Sequence, residues 1–388
     1  MPGPRGRPGR GGLPRGPGAP ARGAGALSRA DRAAGLAAER ELDALLVSHP
    51  VNLRYLTGFT GTNGLAVLGA GADGVRRFLT DFRYLERAAE EVSGFDVVRG
   101  ERDLLDAVRA ALPERRPVRL GFDDAHISVR AHRRLQEVLE GVELAPAGGL
   151  VERLRTVKDA GELRRIRAAA DLADEALEAL LDRGLHGRTE RAVALDLEDE
   201  MRHRGAEAGA EPSFPSIVAA GANGALPHAQ SRPVEIPRDT LVIVDWGARL
   251  DGYCSDCTRT FATGELDGEA AAVYELVRRA QVTGLEAVGP GVTGRDADAA
   301  ARALIEEAGH GERFGHGLGH GVGLEVHEAP RLAKTGGDDP LVAGNVVTVE
   351  PGVYLPGRFG VRIEDLVVVT EAGADVISSS RKDLVTEV

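Results

Sequence analysis

The segment LVIVDWGARLDGYCSDCTRTF, residues 241–261, carries two acids in an otherwise strand-like context. Its two β-prone runs flank Asp251-Gly252, a residue pair that favours a type I′ hairpin turn. If the turn closes there, Leu250 pairs with Tyr253 and Gly247 faces Asp256. Asp245 lies two residues before Gly247 and shares its face, because side chains alternate along a strand. Asp245 and Asp256 are therefore expected to project from the same side, one register step apart. A buried carboxylate without a partner is costly, and two side by side repel unless a proton or a cation intervenes. On this segment alone, a salt-bridged or turn-capping Asp pair explains the pattern equally well.

The segment FGHGLGHGVGLEVHE, residues 314–328, offers His316, His320 and His327 among five glycines. Glycine lets backbone and imidazole approach a ligand closely. The G-x-G spacing superficially resembles a phosphate loop, but no strand is expected before it and no Lys-Ser/Thr follows. Farther along, VVTVEPGVY (346–354) and GVRIEDLVVV (360–369) each set one acid, Glu350 or Glu364, inside a Val-rich strand. Arg362 alternates onto the face of Glu364, so an ordinary salt bridge between them is the competing explanation. Glu350 has no such local partner.

Four acids and one histidine thus fall in apolar or glycine-rich segments. Such a set suits hard or borderline ions such as Mn²⁺ or Co²⁺ better than a closed Cys/His zinc site. Four carboxylates exceed the needs of one ion, whereas two ions roughly 3.5–4 Å apart would use them all. Cys254 and Cys257 form a lone C-x-x-C with no second pair to complete a cysteine-rich zinc site. Two reduced cysteines in a strand is the reading preferred over a redox pair, and it points to a cytoplasmic protein.

These residues need a scaffold, and 388 residues suffice for two domains. Residues 1–25 contain 15 Gly or Pro and five Arg, a composition expected to be a disordered tail. It lacks the apolar core of a secretory signal, and a misplaced translation start is one explanation for it. The net charge is −12, so the chain beyond this tail carries −17; such an acidic body is a poor partner for nucleic acid. No apolar run approaches the roughly 20 residues that span a bilayer.

Residues 26–152 read as a compact α/β unit. Helices are expected at 28–41, 104–111 and 129–139, and strands at 44–48, 64–69 and 77–80, the last two joined through Gly71–Gly74. This unit is expected to hold no cluster of metal ligands. A second domain, 153–388, opens with a long helix whose apolar stripe is Leu163, Ile166, Ala170, Ala173, Leu177 and Leu180. Asp159 and Glu162 suggest a capping box at its start. Further helices are expected at 188–204, 267–287 and 295–309, with paired strands between them. The expected class is α+β, a smaller α/β domain preceding a larger catalytic one.

The order Asp245, Asp256, His320, Glu350, Glu364, each in the context quoted, resembles the M24 metallopeptidases of the pita-bread fold. Within them it most resembles the Xaa-Pro peptidases, aminopeptidase P and prolidase, over roughly residues 26–388. LRYLTGFTGTNG, from Leu53, resembles the creatinase-type N-terminal domain common in these enzymes. The resemblance implies that Asp245 binds one metal ion, that Asp256 and Glu364 bridge two, and that His320 and Glu350 complete the second. It implies attack by a metal-bridged hydroxide, with Glu350 shuttling a proton. His228, in LPHAQ, matches a histidine near the scissile bond. His327, in the VHE motif, matches one that stabilises the oxyanion or leaving group. His316 and Arg362 match residues that line a proline pocket or support the ligands, and Tyr354 stands behind them.

The resemblance therefore implies an exopeptidase for the Xaa-Pro bond, which defeats most peptidases because it lacks an N–H. Xaa-Pro aminopeptidase is the expectation; Xaa-Pro dipeptidase and a non-catalytic peptide-binding relative are the alternatives. Creatinases and the metal-free chaperone relatives lack the full ligand set, and methionine aminopeptidases usually lack the first domain. Two divalent ions are implied, Mn²⁺ first and Co²⁺ or Zn²⁺ as alternatives, with a proline-containing peptide as substrate, a homodimer, and neither nucleic acid nor membrane as partner.

Overall fold

A computed structural model describes residues 27–71, 74–114 and 118–384. The Gly/Pro/Arg-rich tail and the middle of the Gly71–Gly74 turn lie outside the described residues. The first region builds one six-stranded sheet. Its order is Asp96–Arg99, Arg76–Thr80, Gly64–Gly69, Ala44–Val47, Val118–Phe122, Val142–Pro146. The two pairings that flank Gly64–Gly69 are antiparallel and the other three parallel.

The expected helices and strands of this region are present as Arg29–Glu39, Val129–Val138, Ala44–Val47, Gly64–Gly69 and Arg76–Thr80, while 104–111 divides into a 3-10 turn and one α turn. Three strands and three helices, Pro50–Thr57, Leu85–Glu91 and Leu150–Arg155, had no sequence expectation. The helix Pro50–Thr57 is short, has proline in its first turn and ends at Gly58 with a φ of 88°, a left-handed stop that glycine makes without strain. The strand Asp96–Arg99 lies at the sheet edge and is largely exposed, so no buried face writes an alternating pattern into it.

The helix Ala160–Leu181 begins with the expected capping box: Asp159 accepts from the Gly161 and Glu162 amides, and the Glu162 carboxylate accepts from the Asp159 amide. Its stripe packs on the sheet through Trp246, whose Nε1 donates to the Ala173 carbonyl at 2.9 Å. The remaining helices, Glu190–Arg204, Gly268–Ala287 and Gly294–Glu307, surround small antiparallel sheets. One contains Cys257–Ala262, Leu241–Trp246 and Ile217–Ala220. Another contains Glu328–Leu332, Gly319–Gly321, Val346–Val349, Asp365–Thr370 and Gly373–Val376. The hairpin Gly352–Leu355 with Phe359–Arg362 stands beside them.

The turn expected at Asp251-Gly252 forms, with φ of 46° and 81° as a type I′ turn requires. Leu250 pairs with Tyr253, and the same register continues to Trp246 opposite Cys257 and Asp245 opposite Thr258. That register sets Gly247 across from Asp256. A Cβ on Gly247 would lie 2.0 Å from the Ser255 carbonyl oxygen, so only glycine permits this approach. Both cysteines are buried and unpaired. Among the described residues, no helix is long and apolar enough to cross a membrane.

Candidate metal centre and pocket

The elements meet around one cavity of ≈ 440 Å³. All nine residues expected to form the site line it: Asp245, Asp256, His320, Glu350, Glu364, His228, His316, His327 and Arg362. They come from five separated segments. Asp245 and Asp256 arrive from the hairpin. His316, His320 and His327 come from the glycine-rich segment, where a Cβ on Gly319 would lie 1.9 Å from the Thr348 carbonyl oxygen. Glu350 and Glu364 stand at the ends of strands, just past Val349 and just before Asp365, rather than inside them as expected. A strand end frees a side chain from the alternation that would otherwise pack it against a sheet face.

The donor atoms form overlapping groups. Those of Asp245, Asp256 and Glu364 lie within 4.8 Å of one another, as do those of His320, Glu350 and Glu364, and of Asp256, His320 and His327. His320 Nε2 is 3.3 Å from Glu350 Oε1 and 3.7 Å from Asp256 Oδ2. Asp245 Oδ1 and Glu364 Oε1 are buried without a hydrogen-bond partner among the described residues. Burial, followed by repulsion from Glu364, Asp245 and Glu350, raises the Asp256 pKa well above the usual carboxylate range. Burial, then Glu350 and Asp245, does the same to Glu364. Burial also pushes Glu350 upward, but His320, His316 and Arg362 outweigh it and bring it to about 2. Reciprocally, Glu350 overcomes the burial of His320 and raises its pKa.

Arg362 does not pair with Glu364 as the competing explanation required. Its Nη2 donates to Asp245 Oδ2 at 2.6 Å, its Nη1 to Tyr354 OH and the Pro227 carbonyl, and its Nε to Thr258 Oγ1. Thr258 in turn donates to Glu364 Oε2 at 2.7 Å, because the hairpin register sets it opposite Asp245. His316 Nε2 is 2.9 Å from Tyr354 OH. Glu350 also has a partner the sequence did not indicate, Thr348 Oγ1 at 3.2 Å. Sequence reasoning missed Thr258, Thr348 and an apolar wall of Phe214, Pro215 and Ile217. Threonine in a strand is ordinary, so nothing in its type marks it.

One arginine, two threonine hydroxyls and the imidazoles do not neutralise four clustered carboxylates, and two carboxylate oxygens remain unsatisfied. An oxygen-rich set with one imidazole fits divalent ions of the hard to borderline kind.

Residues 164–371 match metallopeptidase family M24, and residues 29–157 match the creatinase/prolidase N-terminal domain. A Xaa-Pro dipeptidase of Pyrococcus furiosus is 34% identical over 346 residues, covering 89% of this chain and 96% of that protein. The solved Xaa-Pro dipeptidase from Bacillus anthracis superposes with a TM-score of 0.87 at 39% identity, covering 92% of this chain and 99% of the other. The X-Pro aminopeptidase from Thermotoga maritima gives 0.82 at 34% identity, covering 92% and 100%. The architecture is thus a creatinase-type N-terminal domain followed by a pita-bread domain.

Proposed function

Because this chain belongs to metallopeptidase family M24, a family of hydrolases that use divalent metal ions, we propose that it cleaves the Xaa-Pro bond at the N-terminus of proline-containing peptides. The observation that carries this reading is the surplus of buried carboxylates in the pocket, with Asp245 Oδ1 and Glu364 Oε1 unsatisfied. Asp245, Asp256 and Glu364 would hold one ion, and His320, Glu350 and Glu364 the other, which follows the grouping of their donor atoms. Two divalent ions bound there would polarise a peptide carbonyl and lower the pKa of water toward neutrality. Mn²⁺ is the ion we expect, with Co²⁺ or Zn²⁺ as substitutes, since carboxylate oxygens dominate the set.

The chain's own groups do the rest. Glu350, kept ionised by His320, is placed to accept and return a proton. His327 lies beside His320, their ring centroids 4.2 Å apart. With exposed His228 it can donate to a developing oxyanion or leaving nitrogen. The donors of Arg362 face Asp245, Tyr354, Thr258 and the Pro227 carbonyl, which supports a positioning role. The wall of Phe214, Pro215 and Ile217 suits a proline ring. The division into a first domain ending near residue 152 and a catalytic domain after it, the homodimer and the cytoplasmic placement belong to the same reading.

The relatives support a dipeptidase at least as well as the aminopeptidase favoured by sequence reasoning, since the Pyrococcus and Bacillus proteins are both named Xaa-Pro dipeptidases. Rates on Gly-Pro and on a longer Xaa-Pro peptide, with Mn²⁺ and then with chelator, test both levels. We expect metal-dependent cleavage; its absence on both substrates overturns the peptidase reading, and the ratio of rates decides the length preference.

A further inference from the structure

The first region was expected to hold no cluster of metal ligands, and the fold contradicts that expectation. His49 stands just before the helix Pro50–Thr57, His126 in the turn after the strand Val118–Phe122, and Glu152 in the helix Leu150–Arg155. Their donor atoms lie within 4.8 Å of one another. Glu325, two residues before His327, approaches from the second region outside that group of three, its Oε1 3.8 Å from His49 Nε2. Sequence spacing hid this arrangement, since His49 and Glu152 are 103 residues apart and Glu325 lies 276 beyond His49.

The distances are too long for good hydrogen bonds and close to those that shared ligation of an ion requires. His126 Nε2 is 3.5 Å from Glu152 Oε1, and His49 Nε2 is 3.8 Å from Glu325 Oε1. An N–H···O bond centres near ~2.9–3.0 Å. Two ligands at ~2.0–2.1 Å from one tetrahedral ion stand roughly 3.3 Å apart. The same spacing, 3.3 and 3.7 Å, separates His320 from Glu350 and Asp256 in the pocket. His49 Nδ1 is buried and has no hydrogen-bond partner among the described residues, so the ring's polar edge is not satisfied through that atom.

The surroundings favour a cation. Glu325 and Glu328 both contact Arg155 Nη2, and Lys158 also meets Glu328. Among the described residues Glu152 then meets no Arg or Lys; Asn52 Nδ2 donates to it at 2.7 Å and His126 Nε2 stands 3.5 Å away. Asp123 adds a further carboxylate, which accepts the Ser48 and His49 amides. The two imidazoles stack, their centroids 3.5 Å apart and their planes 3° from parallel. An ion shared by both rings requires the stack to fan open, a motion available to His126, whose side chain is 32% exposed.

We propose that His49, His126 and Glu152, with Glu325 as fourth ligand, bind one divalent transition-metal ion of the zinc type, separate from the pocket. Two imidazoles with carboxylates form a donor set that such an ion accepts. The site would tie the first region to the loop that carries His327, so its occupancy would reach the pocket through backbone rather than through substrate contact.

Zinc titration of the full-length Asp256→Ala/Glu364→Ala chain, in which the pocket set is broken, reads this site alone. We expect one zinc per chain by calorimetry, together with a rise in Tm. Adding His126→Gln, a change at a half-exposed side chain, should weaken that binding roughly tenfold or more and remove the rise in Tm. In the otherwise natural chain, His126→Gln should lower total zinc by one while metal-dependent peptidase activity persists. No zinc bound by the pocket-broken chain, or zinc bound equally with and without His126, overturns the proposal whatever the peptidase assay shows. A Tm that does not respond to zinc overturns it too.

Discussion

Glu364 and Asp365 are neighbours in the chain and both are buried, at 2% and 0% exposure. Their surroundings are opposite. Asp365 receives Arg259 Nη2 at 2.9 Å, Gln281 Nε2 at 2.8 Å and the Lys382 ammonium. Glu364 receives one hydroxyl, Thr258 Oγ1, on one oxygen and nothing on the other, and it faces three more carboxylates. The fold neutralises the acid on the structural side and leaves charge over on the pocket side. An uncompensated buried charge is expensive, so it marks where an outside cation belongs. A residue's type and burial do not separate the two cases; its partners do.

The largest expected break in this contrast is catalytic. Glu364→Gln should lower kcat/KM in the presence of metal by more than the roughly 10–100-fold that loss of an outer partner costs, whereas Asp365→Asn should leave bound-metal stoichiometry intact; metal analysis beside steady-state kinetics checks both. Next comes stability. Asp365→Ala strands Arg259 and should cost about 3–5 kcal/mol in urea denaturation. With metal chelated, Glu364→Gln should instead leave stability unchanged or raise it, because it removes a like charge. A comparable loss in both variants would mean that the two carboxylates are equally compensated.

A smaller effect follows from pH. Asp256 and Glu364 have folded-state pKa values raised above their unfolded ones by burial and mutual repulsion. Between the unfolded and folded values the folded chain binds more protons. The metal-free protein should therefore lose stability as pH rises through that window from the unfolded carboxylate pKa. Metal replaces those protons, so metal affinity should rise with pH over the same window and binding should release protons. Chemical melts of apo and loaded protein across pH, with calorimetry in two buffers, test the sign. The smallest expected effect is Tyr354→Phe. It removes one hydroxyl between His316 and Arg362 and should cost activity near the lower end of about 10–100-fold without loss of metal.

Much of the pocket was legible in the sequence because carboxylates in Val-rich or glycine-rich runs are locally anomalous. Asp245 and Asp256 could even be placed on one face, since a two-residue I′ turn sets the register and the register sets the face. The helix from Ala160 to Leu181 was legible for a similar reason: its capping box and stripe are local signals. Arg362 was misleading because alternation named Glu364 as its neighbour, whereas the sheet brought Asp245 closer. The strands Asp96–Arg99, Val118–Phe122 and Val142–Pro146 were missed because their pairing comes from distant partners rather than from their own pattern.

The sequence alone determined which residue types are out of place for a core, the hairpin that joins two of them, and the family they resemble. Only the tertiary structure decided which charges cancel. Asp365 and Glu364 look alike in one dimension, and so do His49 and any surface histidine. Whether a buried polar group is partnered depends on groups 100 or more residues away, such as Arg259 for Asp365 or Thr258 for Glu364, because electrostatic and hydrogen-bond partners are set by distance in space and not along the chain.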